Sequence, residues 1–91
     1  MKRNYDDEAY RQWRLDILKR DKHCCKMPGC KSKRRLNVHH IRKWASYSAL
    51  RYDIHNGITL CYSCHKLITG KEEAYADLFT YIVSLYDRKK K

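Results

Sequence analysis

Five cysteines and five histidines in a chain of 91 residues are the side chains best equipped for chemistry here, and their spacing is ordered. Cys25 and Cys30 form a Cys-x4-Cys pair, Cys61 and Cys64 a Cys-x2-Cys pair, and thirty residues separate the two pairs. Pairs at such gaps reach around one ion. Four thiolates are the ligand set of a closed tetrahedral zinc site, which gives a small chain a rigid frame. The intervening segment is longer than a plain zinc ribbon requires. It carries His39-His40 and Asn56-Gly57-Ile58, and His65 follows directly after Cys64. Neutral imidazole is a common ligand for divalent ions and the commonest general base near neutral pH. A zinc frame that encloses a histidine pair and ends in a further histidine therefore points to a second, catalytic metal. Adjacent side chains diverge, so Cys24 is not expected to share an ion with Cys25; Cys25 is the expected ligand and Cys24 a packed or exposed spare.

These residues need elements to hold them. The chain from about Tyr5 to Arg20 reads as a helix: Asn4 can cap it, Asp6, Asp7 and Glu8 suit its positive end, and Lys19, Arg20 and Lys22 its negative end. Tyr10, Trp13, Ile17 and Leu18 give it one apolar stripe, whose expected use is core packing. Pro28-Gly29 predicts a tight turn that lets Cys25 and Cys30 face one ion. Leu36 to Ile41 alternates as a short strand, and Asn56-Gly57 predicts a turn with a sharp bend at the glycine before a second strand, Ile58-Thr59-Leu60. The segment between them, Trp44 to Tyr52, is expected to be a loop with a helical turn around Tyr47 to Arg51. Cys61 to Ile68 reads as a helix, since Cys61, Cys64, His65 and Ile68 recur at three- and four-residue steps. Thr69-Gly70-Lys71-Glu72 has the form of a capping box for a last helix, Glu72 to about Asp87, with Tyr75, Leu78, Phe79, Ile82, Leu85 and Tyr86 on one side. The tail, residues 88–91, is expected to fray.

The expected product is one small α+β domain spanning residues 1–91, too short for a comfortable hydrophobic core and stabilised instead by metal. The formal charge of +11 comes from 21 Lys and Arg against 10 Asp and Glu, and it predicts a polyanionic partner. Between Lys19 and Lys43 there are ten basic residues and one acid, Asp21. An odd number of cysteines suits a disulfide framework poorly, and no secretory leader or membrane-spanning run is legible. Reduced, metal-bound thiols in the cytoplasm are the expectation.

Taken together, Arg20-Asp21-x3-Cys25-x4-Cys30, Leu36-x-Val38-His39-His40-Ile41 and Asn56-Gly57-Ile58-Thr59-Leu60-Cys61-x2-Cys64-His65 resemble the HNH endonuclease family, and its small zinc-stabilised phage and bacterial members in particular. The resemblance covers roughly Trp13 to Gly70. It implies a ββα-metal (HNH, His-Me finger) core over about residues 20–70, flanked by an N-terminal and a C-terminal helix. His40 would match the general base, His39 and His65 the ligands of one catalytic divalent ion, and Asn56 the residue that holds the loop presenting the base. DNA phosphodiester hydrolysis leaving 5′-phosphate and 3′-hydroxyl ends is implied in turn. Some members place another histidine four residues after the helix histidine. Thr69 stands there in this chain, which leaves the ion two protein ligands and its identity open among Mg²⁺, Mn²⁺ and Ni²⁺.

The chemistry is sensible in its own right. Phosphodiester hydrolysis needs an activated water and relief of the charge that builds on phosphate and leaving oxygen; one histidine supplies the first and a sparsely held metal the second. In a regular strand His39 and His40 face opposite ways, so they serve one site if the strand bends or the phosphate bridges them. Lys31, Lys33, Arg34, Arg35, Arg42 and Lys43 are candidate phosphate contacts, His23 and His55 lie outside the matched motif positions, with His55 read as a solvated turn residue, and Trp44 is a packing residue. DNA, or RNA in its place, is the expected partner. A single unit would nick one strand, and double-strand cuts would need a homodimer or two events. Two other readings use the same features: a catalytically silent zinc-stabilised nucleic-acid-binding module, and a subunit active only with a partner such as the phage DNA-packaging machinery.

Overall fold

A computed structural model describes residues 8–42 and 52–89. The proposed cap of the first helix, Lys43, Trp44 and the expected loop as far as Arg51 lie outside the described residues. Three helices and a hairpin make up the rest: α1 (Glu8–Arg20), β1 (Leu36–His40), a one-turn 3₁₀ helix (Ile54–Asn56), β2 (Gly57–Cys61), α2 (Tyr62–Ile68) and α3 (Glu72–Lys89).

β1 and β2 pair antiparallel, with Leu36 opposite Cys61, Val38 opposite Thr59, His39 opposite Ile58 and His40 opposite Gly57. A lone two-stranded hairpin is marginal in water and needs cover. Here both faces receive it. Tyr10, Trp13 and Ile17 of α1 pack with Val38 and Ile54. Ile58, Leu60, Ile41 and Ile68 pack with Ala76, Phe79 and Val83 of α3. All five residues of β2 are buried as a result, which explains a strand that reads as a nearly unbroken apolar run. The α+β reading and its ββα core hold, and the α1 stripe buries all four of its expected residues.

Some local readings are corrected. The Asn56-Gly57 pair forms no hairpin turn: Asn56 ends the 3₁₀ helix, and Gly57 begins β2 with an extended backbone at φ −138°. Glycine is needed there because a Cβ would run into Ile17 Cδ1 and Trp13 Cζ2 of α1. Cys61 closes β2 and precedes α2 as its cap residue, so the helix starts one residue later than its spacing suggested. The capping box does not form either, since α3 begins at Glu72 and the Thr69 hydroxyl donates instead to the His65 carbonyl at the end of α2 (2.9 Å). On α3 the buried line runs through Ala76, Phe79 and Val83, leaving Leu78 exposed. The helix also continues through Lys89, as no breaker follows Asp87 and basic residues favour a helix C-terminus. Pro28-Gly29 does turn as expected: Gly29 has φ +84° and Cys30 N–H bonds the Met27 carbonyl at 2.9 Å.

Candidate active site and metal centre

The four expected cysteines meet. The turn after Cys25 brings Cys30 back, and the β2–α2 junction supplies Cys61 and Cys64, so that all four sulfurs lie within 4.8 Å of one another. Cys30 Sγ and Cys61 Sγ are 3.9 Å apart. Zinc–sulfur bonds of about 2.3 Å in a tetrahedron set sulfurs about 3.8 Å apart, so the cluster is positioned to hold a metal ion. Cys25 belongs to the cluster and its neighbour Cys24 does not. Burial pushes Cys25 above its usual 9.0, and burial with bonding to Cys61 pushes Cys64 well above it. Cys61 moves the other way, to about 7, drawn down chiefly by the Cys64 backbone N–H. Crowded thiols resist joint ionisation, and a dication removes that obstacle.

At the other end of the hairpin the histidines divide between the faces of the sheet. His39, 7% exposed, sits edge-on to His65 with ring centres 5.4 Å apart and to Phe79 at 5.8 Å. His65 gets there because α2 starts immediately after β2 and places its fourth residue beside the antiparallel neighbour strand. Metal–nitrogen bonds of about 2.0–2.1 Å put two imidazoles on one ion with ring centres about 5 Å apart, so this pair fits a shared ion. His40, 6% exposed, lies on the α1 side, stacked on the Trp13 indole at 4.1 Å and 14°. The strand stays paired through His40, so it does not bend to bring both rings to one face.

Asn56 staples the backbone that follows His40. Its Oδ1 accepts from Arg42 N–H (2.8 Å), its Nδ2 donates to the Arg42 carbonyl (3.3 Å), and its own carbonyl accepts from Ile41 N–H (2.9 Å). Asn56 is in turn fixed from behind. Arg20 Nη1 donates to the Ile54 carbonyl and Nη2 to the Gly57 carbonyl, both at 2.7 Å. The guanidinium is held by Asp21, which is 1% exposed and bonded at 2.8 and 3.0 Å. Asp21 Oδ2 also takes the Thr59 N–H at 2.9 Å.

Sequence reasoning missed Trp13 and the Arg20–Asp21 pair as parts of the site. Trp13 reads as ordinary stripe residue, and its stack on His40 joins residues 27 apart in sequence. Arg20-Asp21 belongs to the quoted motif run, the one signal available, but nothing in the spacing assigns it a partner. Lys31, Lys33, Arg34 and Arg35 are exposed before β1. Arg42 is half-buried and pairs with Asp77 of α3 at 3.2 Å, while Lys43 is outside the described residues. His23 and His55 are exposed, and His55 Nδ1 lies 3.2 Å from Asp53 Oδ1.

A hairpin followed at once by a helix, with histidines on strand and helix and a four-cysteine cluster at the junction, defines a ββα-metal domain. The family model described as HNH endonuclease matches residues 23–71, more than half of the chain, and the protein belongs to that family. Searches of curated proteins and of solved structures gave no significant match. Family membership gives the chain a nuclease-type domain with a nucleic-acid substrate. Among the described residues, no helix is long and apolar enough to cross a membrane.

Proposed function

We propose that the protein is a metal-dependent endonuclease that hydrolyses DNA phosphodiester bonds and, as a monomer, nicks one strand. The observation that carries this reading is the convergence of His39 and His65, from different elements, beside the backbone that Asn56 fixes directly after His40. His39 and His65 would hold a divalent ion, which when bound supplies charge stabilisation at the phosphate and leaving oxygen while keeping positions open for them. Imidazole favours Ni²⁺ in affinity, while the water and phosphate oxygens at the open positions also suit Mg²⁺ and Mn²⁺. Cys25, Cys30, Cys61 and Cys64 would hold a structural zinc.

His40 would accept the proton of the attacking water. The imidazolium so formed faces the Trp13 indole, whose π face favours a positive charge. Trp13 is itself anchored by its Nε1 bond to the Asp53 carbonyl at 2.9 Å, which keeps the histidine ring in one orientation. With no bend in the strand, the phosphate must straddle the end of the hairpin, where both faces come within reach. Arg42 and Lys43 come just after His40, beyond Ile41, and would meet the flanking phosphates. The cleavage would leave 5′-phosphate and 3′-hydroxyl ends, and a double-strand break would need a dimer or a second event. The setting would be the cytoplasm, a phage-infected bacterial host included.

The close stacking of His40 on Trp13 also suits a second reading, in which the same fold binds nucleic acid without cutting it or cuts only beside a partner such as packaging machinery. A supercoiled-plasmid assay separates the two. Zinc-loaded wild type should nick with Mg²⁺, Mn²⁺ or Ni²⁺, and His40→Ala should lose about 10²–10⁴-fold in rate, with unchanged zinc content and a cooperative melt well above the assay temperature. No cleavage with any ion, alongside intact DNA binding, would transfer the assignment to the silent or partner-dependent form.

A further inference from the structure

At the far end of the hairpin from the histidines, a concavity of about 220 Å³ opens between the residues before β1 and the start of α2. Ser32, Arg34, Arg35, Cys61, Tyr62 and Ser63 line it. It is smaller than the roughly 300–1,000 Å³ of a small-molecule site, so it suits a group rather than a whole cofactor. Its walls are built. Arg34 N–H donates to Ser32 Oγ at 3.2 Å, and the Arg35 guanidinium lies 4.2 Å over the Tyr62 ring. Among the described residues neither arginine has an acidic partner. Arg35 also holds a left-handed backbone at φ 51°, a conformation that glycine or asparagine takes at lower cost. An arginine in that position is not there for the turn. Behind it, Cys61 belongs both to the lining and to the four-cysteine cluster.

We propose that this concavity is a second nucleic-acid subsite, in which Arg34, Arg35 and the Ser32 and Ser63 hydroxyls take one backbone phosphodiester away from the cleaved bond. A planar guanidinium set by an aromatic face is suited to bidentate phosphate contact in a way a lysine is not. Leu36 and His40 are four residues apart on β1, about 13 Å at about 3.3 Å per residue. A strand following the hairpin from the histidines would reach the pocket after roughly four nucleotides, at about 3.4 Å each along B-form DNA. The inference rests on the nucleic-acid reading above but not on cleavage.

The test is binding of a fluorescein-labelled DNA duplex by anisotropy across a range of salt. Arg34→Ala/Arg35→Ala should lower the salt slope by about one, because both arginines share a single phosphate. Tyr62→Leu changes no charge, yet should weaken binding about two- to fivefold by freeing the guanidinium, and Arg35→Lys should lose affinity although it keeps its charge. Wild-type affinity in both Tyr62→Leu and Arg35→Lys would overturn the subsite and leave an even basic surface, and so would a wild type that does not bind the duplex. Zinc content and melting temperature verify each fold, and the exposed Arg35→Lys decides if Tyr62→Leu is unstable. Failure of wild type to nick supercoiled plasmid with any of the three divalent ions, with the binding losses intact, would strike the nuclease reading alone.

Discussion

Asn56 shows how much one buried amide can organise. Its side chain closes both the N–H and the carbonyl of Arg42, a residue whose own backbone has no strand partner to turn to because β1 ends at His40. Asn56→Ala should therefore cost about 1–3 kcal/mol, the range for stranding part-buried backbone groups, read as a lower urea midpoint at constant zinc content. If His40 is the base, nicking should fall by more than the stability loss explains. At this scale the sequence is informative where spacing is the signal: the cysteine pairs, the histidine pair and His65 stand out because their intervals match what a metal needs. Trp13 is illegible as a site residue, since an aromatic in a helical stripe has a sufficient reason to be there, and its partner is supplied by tertiary packing.

Between elements, the decisive contact is the seat of α1 on the hairpin. Gly57 leaves room for Ile17 and Trp13, and the Arg20–Asp21 pair ties the end of α1 to the carbonyls on either side of Asn56 and to Thr59 in β2. Adding one methyl at Gly57 forces α1 off that seat. Gly57→Ala should cost about 1–3 kcal/mol and lower the melting temperature by about 4 °C or more, with the Trp13–His40 stack loosened enough to change Trp13 fluorescence. A variant as stable as wild type would mean that the α1 contact gives way freely. The helices and strands themselves are legible from periodicity, but the job of Gly57 is not. A glycine after an asparagine reads as a turn, whereas this one is required by a side chain some forty residues earlier in the chain.

Across the whole molecule, a two-stranded hairpin with two modest apolar clusters is a thin basis for stability, and the cysteine cluster joins its separate segments. A strong chelator should strip one metal equivalent per chain and unfold the protein, seen as loss of near-ultraviolet dichroism together with released zinc. Retention of a cooperative melt in the stripped protein would refute a structural role for the cluster. The class of fold was legible because its frame is written in ligand spacing. The division of the two histidines between faces was not, as it depends on whether the strand stays paired to its end.

Both constellations are divided along the chain in the same way. Cys25, Cys30 and His39 come early, Cys61, Cys64 and His65 late, and all of the late group falls within five consecutive residues. While the protein is being made, neither constellation exists until that short stretch has left the ribosome. The two are then completed almost together. An interrupted chain released before residue 61 carries half of each and the whole of neither, so it can assemble neither the cysteine cluster nor the His39–His65 pair.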